Sequence, residues 1–324
     1  MEDKNISRRR FLASASVMVG AAVAAPAFGM PAYIPNLRKP NSVFNGVQVG
    51  VITYSFRSLP SSAEEVLRYC VEAGVSAVEL MGPAAEAFAG APEPPARTGN
   101  KEDDAAARDA YLKTLAAWRA RVPMKRFEQL RKLYKRAGVS IYGYKPSALG
   151  VGNTDAEVDY AFRAAKALGA NQANVEFPKD PTQTKRLGDI AKRNKVYVGY
   201  HGHLQQTFDM WDGAFAQSPY NAANFDMGHY VAAGFDAIQF IEAKHQHIVS
   251  MHVKDRKSKA NGGANLPWGE GDTPIAEALQ LMAARNYKFP ATIELEYPVP
   301  DGSDAVKEVA RCVEYARKAL ERKA

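Results

Sequence analysis

Cysteine is nearly absent: the 324 residues hold two, Cys70 and Cys312. Two cannot build the dense disulfide framework of a small secreted domain, so the chain must depend on a packed core. Both fall on stretches read below as the first and last helices of one ring. A bridge between them would close a long loop and contribute about 4 to 5 kcal/mol. Two buried thiols are the alternative, and the burial habit of free cysteine favours them. After residue 27 no segment reaches eighteen consecutive apolar residues, which leaves no candidate for a stable membrane anchor there. Aromatic residues do not interleave the basic ones, as a nucleic-acid groove would require. The net charge of +7 falls to +5 once the four basic and two acidic residues of the first 27 positions are set aside. The remaining basic residues mix with acidic ones on helical stretches such as 185–195, the pattern of a solvated surface and not of a nucleic-acid partner. Glycine-rich phosphate loops are missing too, because Gly262-Gly263 and Gly269-Glu270-Gly271 read as turn glycines.

The N-terminus has a distinct layout. Ser7-Arg8-Arg9-Arg10-Phe11-Leu12 leads into an uncharged run of small and apolar residues over 13–25, followed by Ala25-Pro26-Ala27. A basic region, a short apolar region and an Ala-x-Ala site make a signal peptide, and the twin arginines resemble those of substrates exported in the folded state. Residues 1–27 are therefore expected to be removed by the twin-arginine export machinery, with residues 28–46 a linker and 47–324 a periplasmic or secreted domain.

With 46% hydrophobic residues, the chain can bury a large core. From position 47 onward, β-rich runs alternate with helical patterns. Strands are expected at 49–55, 77–81, 139–144, 173–177, 196–201, 224–227, 248–253 and 291–296. Helices are expected at 63–73, 126–137, 155–168, 182–193, 235–244, 274–285 and 303–318. This alternation implies βαβ units and a parallel sheet. Three helix-to-strand returns carry a glycine (Gly74, Gly138, Gly169) where a left-handed cap is needed. Eight such units imply an α/β fold, a single (β/α)8 barrel, with an open doubly wound sheet as the alternative. Two connections are long, 82–125 after strand 2 and 256–273 after strand 7, and both leave the face where such barrels place their sites. Trp268, among glycines in the second, is expected as an exposed sugar-stacking ring, with Thr273 capping the next helix.

The ionisable residues at the predicted strand ends are Glu79, Lys145, Glu176, His201, His203, Asp226, His229, His252, Asp255, Glu294 and Glu296. Four of the six histidines of the chain are in this set. Imidazoles and carboxylates converging on one mouth fit one divalent ion (Mn, Mg, Co or Zn), with a metal-free acid/base cluster as the other reading. His201 and His203 are two apart and share a strand face, as do Glu294 and Glu296, so either member of each pair can hold metal while the other meets substrate.

Five motifs in this order resemble the xylose-isomerase-like barrel proteins, the sugar isomerase and epimerase superfamily that includes endonuclease IV. They are Val78-Glu79-Leu80-Met81-Gly82, Gly199-Tyr200-His201-Gly202-His203, Asp226-Met227-Gly228-His229, Ser250-Met251-His252-Val253-Lys254-Asp255 and Thr292-Ile293-Glu294-Leu295-Glu296. The resemblance implies a metal on His201, Asp226, His252 and Glu294 and a substrate contact at His229. Strand 5 departs from the epimerase pattern, because a histidine stands where those enzymes have a glutamate that doubles as acid and base. Glu176, His203 and Glu296 are the candidates to replace it, with Glu79, Lys145, Asp255, Arg256 and Trp268 as further substrate contacts. The expected activity is metal-dependent isomerisation or epimerisation of an unphosphorylated sugar or sugar derivative through an enediolate. A lyase or hydratase acting on 3-keto-glycosides, and a non-catalytic sugar-binding barrel, are the alternatives. A homo-oligomer is compatible with either.

Overall fold

The computed structural model describes residues 39–321. The expected signal peptide and residues 28–38 of the expected linker lie outside the described residues. Eight strands form the barrel: β1 (Val47–Ile52), β2 (Ala77–Met81), β3 (Ser140–Lys145), β4 (Gln172–Glu176), β5 (Tyr197–His201), β6 (Asn221–Asp226), β7 (Ile248–Val253) and β8 (Ala291–Ile293). Each pairs in parallel with the next, and β8 returns to pair with β1 through Ala291–Val49 and Ile293–Val51, which closes the ring. The connecting helices are α1 (Ala63–Glu72), α2 (Gly82–Phe88), α3 (Lys101–Arg119), α4 (Lys125–Arg136), α5 (Asp155–Leu168) and α6 (Pro181–Asn194). They continue with α7 (Asp212–Gln217), α8 (Met227–Ala233), α9 (Ala237–Lys244), α10 (Ile275–Arg285) and α11 (Ala305–Glu321). Among the described residues no helix is long and apolar enough to cross a membrane.

Local chemistry explains the boundaries. Thr154 and Glu157 form a reciprocal capping box at the start of α5, and Gly169 ends it at φ +86°. Gly74 and Gly138 end α1 and α4 in the same left-handed region, as their positions predicted. Helices α1 and α11 each turn an apolar stripe inward and bury Cys70 and Cys312, which are both free thiols. Burial pushes both thiols well above the ordinary range, which makes them poor nucleophiles.

Three expectations need correction. Strand β6 ends at Asp226 and not at residue 227, because the Asp226 carboxylate accepts the His229 amide at 2.7 Å and caps α8. Strand β8 keeps only three residues: the Glu294 amide still bonds the Val253 carbonyl at 3.1 Å, but the Leu295 amide turns to the Ser55 hydroxyl at 3.1 Å. Thr273 does not cap α10: its hydroxyl accepts the Arg256 amide at 3.0 Å instead, and the helix begins at Ile275. The expected linker also contains packed structure, for Val43–Phe44 forms a hairpin with β1 through a tight turn at Asn45-Gly46, both at positive φ.

The barrel interior is polar below the mouth. Glu79, Gln172, Asn174, Asn224, Ser250, His252 and Thr292 have no exposed surface. Tyr142 and Thr292 bond across the ring at 2.6 Å, and Gln172 donates to Ser250 at 2.5 Å. Space for these side chains comes from absent ones: a Cβ on Gly199 would lie 2.1 Å from Asn174 Oδ1.

The long β2–α4 connection is held by one buried charge. Arg119, at the end of α3, donates to both oxygens of Glu86 on α2 (2.8 and 3.2 Å), to Glu157 on α5 (3.1 Å) and to Ser147 (2.7 Å). Its side chain is 2% exposed, so removing it strands two buried carboxylates. Arg119→Ala is expected to lower the unfolding free energy by about 3 to 5 kcal/mol in urea titrations. A loss below about 1 kcal/mol would mean that the insertion is held by other contacts.

Candidate metal centre and acid-base site

Donor atoms of His201, Asp226, His252 and Glu294, one from each of β5, β6, β7 and the turn after β8, lie within 4.8 Å of one another, and all four side chains are buried. Two imidazoles and two carboxylates make a mixed N/O set suited to a divalent ion. The tautomer of His201 supports that fit. Asn224 uses its amide N–H on Glu79 Oε2 at 3.0 Å, so its oxygen accepts from His201 Nδ1 at 3.1 Å. The proton therefore sits on Nδ1, leaving the His201 Nε2 lone pair 3.8 Å from Asp226 Oδ2. Burial, with the nearby charges of Lys145 and His252, keeps the His201 imidazole neutral by pulling its pKa well below the ordinary value.

His252 is held differently. Nε2 meets Glu79 Oε2 at 2.9 Å and Nδ1 meets Glu294 Oε2 at 3.0 Å. Burial works against its charge, but Glu294 and Glu79 outweigh it and push the imidazole up to about 10. Glu79 thus orients both histidines, one directly and one through Asn224. It has no exposed surface, so the expectation that it meets substrate gives way to a positioning role beneath the donors.

A second group sits at the rim. Glu176 accepts from His203 Nε2 at 2.7 Å and pairs with Lys145 at 2.8 Å. The hydrogen bond to Glu176 raises the His203 pKa against the cost of its partial burial. For Glu176 itself, desolvation opposes the charge, yet His203 and Lys145 hold the carboxyl below the usual range. The His203 ring lies 4.9 Å from that of His201 and 4.7 Å from that of His229.

His201, His203 and His229 also approach one another closely enough to suggest a second cluster. The His229 tautomer argues against a metal there. Arg256 Nη1 lies 2.5 Å from His229 Nδ1. Arginine has no acceptor, so Nδ1 accepts and Nε2 carries the proton. Burial and Lys254 lower the His229 pKa to about 3, which keeps that ring neutral. It presents an N–H donor, with Glu296 3.7 Å away, and no lone pair.

The other sequence candidates separate. Arg256 is tied to the Gly263 carbonyl through Nε and Nη2 (3.0 and 2.6 Å), so it positions His229 instead of reaching into the mouth. Asp255 is buried and accepts the amides of Gly269, Gly271 and Thr273, which makes it the anchor of its loop and not a substrate contact. Trp268 is half-buried edge-on against Tyr315 of α11, because the anchored loop folds back over that helix. The exposed stacking ring expected from its glycine neighbours is absent. The glycine amides of the same loop are spent internally, on Asp255 for Gly269 and Gly271 and on the Ser258 carbonyl for Gly263, so no phosphate cradle remains. Two residues escaped the sequence reading, Asn224 and Lys254. Each lies two positions from a chosen ligand, Asp226 or His252, and the face-sharing rule applied to β5 would have found both.

The model of the xylose isomerase-like TIM barrel family matches residues 67–316. The chain belongs to this family. Solved structures of similar fold include three at 14–15% identity. A probable 3-DHS dehydratase involved in petrobactin synthesis from Bacillus anthracis has TM-score 0.60 and covers 86% of this chain and 100% of its own. A sugar phosphate isomerase/epimerase from Parabacteroides distasonis has TM-score 0.56, with 86% and 96% covered. A xylose isomerase-like TIM barrel protein from Mycobacterium smegmatis in complex with magnesium has TM-score 0.55, with 85% and 96% covered. No curated protein matches the sequence. At these identities the structures speak for the fold alone.

Two predictions follow from the positioning groups. Glu79→Gln is expected to weaken binding of Mn²⁺ or Co²⁺ about 10- to 100-fold by isothermal titration, with the circular dichroism spectrum retained. Unchanged affinity would remove Glu79 from the support of the site. Arg256→Gln should free the His229 tautomer, seen as mixed Nδ1–H and Nε2–H signals in ¹H–¹⁵N spectra of the imidazoles, where the native protein shows Nε2–H alone.

Proposed function

We propose that this protein is a metal-dependent isomerase or epimerase of an unphosphorylated sugar or sugar derivative, acting by removal of the proton next to a carbonyl. The observation that carries the reading is the carboxylate-backed imidazole of His203, seated one layer above the four-donor set. A divalent ion held by His201, Asp226, His252 and Glu294 would supply Lewis acidity, drawing charge from the substrate carbonyl as the enediolate develops.

The protein's own groups do the rest. His203 donates its Nε2–H to Glu176 in a hydrogen bond, which leaves the Nδ1 lone pair to take the α-proton. Glu176, itself held by Lys145, fixes the ring and raises its basicity, so the imidazolium that forms can return the proton to the neighbouring carbon. His229 offers Nε2–H to a substrate oxygen. The spent glycine amides favour a substrate without phosphate. Export to the periplasm, inferred from residues 1–27, is part of the same proposal.

Elimination is the second reading, a lyase or hydratase acting on a 3-keto-glycoside. It is favoured by the state of His201, whose Nδ1–H is spent on Asn224, so that β5 supplies no second acid/base at the depth of the donors. One base and one donor suffice for one-base isomerisation or for elimination, whereas two-base epimerisation needs another group, for which Glu296 is the remaining carboxylate.

Metal-loaded protein incubated in D₂O with unphosphorylated aldoses, ketoses and 3-keto-glycosides separates these outcomes. Isomer formation with deuterium at the α-carbon supports the proposal, and aglycone release supports elimination. Absence of deuterium from every sugar overturns both and leaves a binding protein. His203→Gln is expected to lower kcat about 10²- to 10⁴-fold while metal content stays stoichiometric. Asp226→Ala or His252→Ala should abolish stoichiometric metal by elemental analysis.

A further inference from the structure

Lys254 lies within the cluster that the metal reading requires. Its side chain is 2% exposed, and Nζ is 2.9 Å from Asp226 Oδ2, 2.6 Å from Glu294 Oε2 and 2.8 Å from Glu296 Oε2. Two of these carboxylates belong to the four-donor set and the third does not. The three contacts are ion pairs from one ammonium to three carboxylates. The seat is built for this side chain: a Cβ on Gly228 would stand 2.3 Å from Lys254 Cγ, and only glycine at the start of α8 lets the stem pass.

The charges explain why the seat exists. Glu79, Asp226 and Glu294 are fully or almost fully buried within one cluster. His252 compensates Glu79 and Glu294 from below. Asp226 would otherwise share a dry site with Glu294, and like charges in such a site oppose folding. A divalent ion would meet the same need.

We propose that Lys254 is the resident cation of this cage: its ammonium lets the protein fold without metal, and a divalent ion binds by displacing it from Asp226 and Glu294 onto Glu296. This inference rests on the metal-centre reading. Lys254 is then a positioning residue that sets how tightly and how reversibly metal is held, and Glu296 is the resting place that keeps the displaced ammonium paired.

The test is titration of Mn²⁺ and Co²⁺ into the metal-stripped native protein, Lys254→Met and Glu296→Gln, with thermal melts in EDTA and in excess metal. Lys254→Met is expected to bind metal at least 10-fold more tightly, to melt lower than the native protein in EDTA, and to recover with metal. Glu296→Gln is expected to bind metal more weakly, because the displaced ammonium loses its partner. Equal or weaker binding by Lys254→Met overturns the inference while leaving the metal centre standing. No stoichiometric binding by either the native protein or Lys254→Met overturns both. Should Lys254→Met fail to fold without metal, Glu296→Gln decides, and unchanged affinity there overturns the exchange.

Discussion

A carboxylate with no exposure to water lies inside the barrel at Glu79, and the site is organised around the partners it needs. A buried charge persists only when it is paired and hydrogen-bonded. One oxygen of Glu79 takes both bonds, from His252 Nε2 and from the amide of Asn224. The first orients His252 toward Glu294; the second turns Asn224 so that its oxygen must accept from His201. One buried anion therefore fixes the orientation of two imidazoles on different strands and the tautomer of His201. The glycines of the barrel serve the same end, since Gly143 and Gly199 leave room for Glu79 and Asn174 where branched side chains usually fill such a core.

Above that layer, the mouth is divided by charge. On one side Lys145, Glu176 and His203 form a line of alternating sign that ends in a basic imidazole. On the other, Lys254 bridges Asp226, Glu294 and Glu296, while Arg256 makes His229 a neutral donor. The loop after β7 supplies both basic residues of the second side, and Asp255 secures it by capturing three of its amides. Asp226 links the layers, because one carboxylate oxygen caps α8 and so aims the other at Lys254 and His201. Stability and chemistry share these side chains, which is why the site sits on strand ends and on a helix cap instead of on mobile loops.

Much of this was legible in the sequence because it is local or periodic. All eight strands fall where the β-rich runs place them, with 77–81 and 248–253 recovered to the residue, since turn glycines and helix caps fix those boundaries within a few positions. The two-residue face rule put His201 with His203 and Glu294 with Glu296. The same rule reaches Asn224 and Lys254, which lie two positions from Asp226 and His252. Trp268 was misplaced: glycine neighbours suggest exposure, but the path of a loop depends on its distant anchors, here Asp255 and helix α11.

The sequence by itself determined the alternation of elements, the closed parallel architecture and the side chains that gather at the strand ends, because these follow from periodicity, capping chemistry and the fixed direction of parallel strands. Only the tertiary structure decided depth and pairing. Glu79, in the middle of β2, is sealed under the donors, and Glu176, at the end of β4, is half-open at the rim, because position along the strand and stagger around the ring together set each residue's height. Pairing across the barrel, His252 with Glu79 over 173 positions and Lys254 with three carboxylates, is likewise a product of closure. Those pairings, and not the residue types alone, set which imidazole is neutral, which is charged and which cation holds the cage.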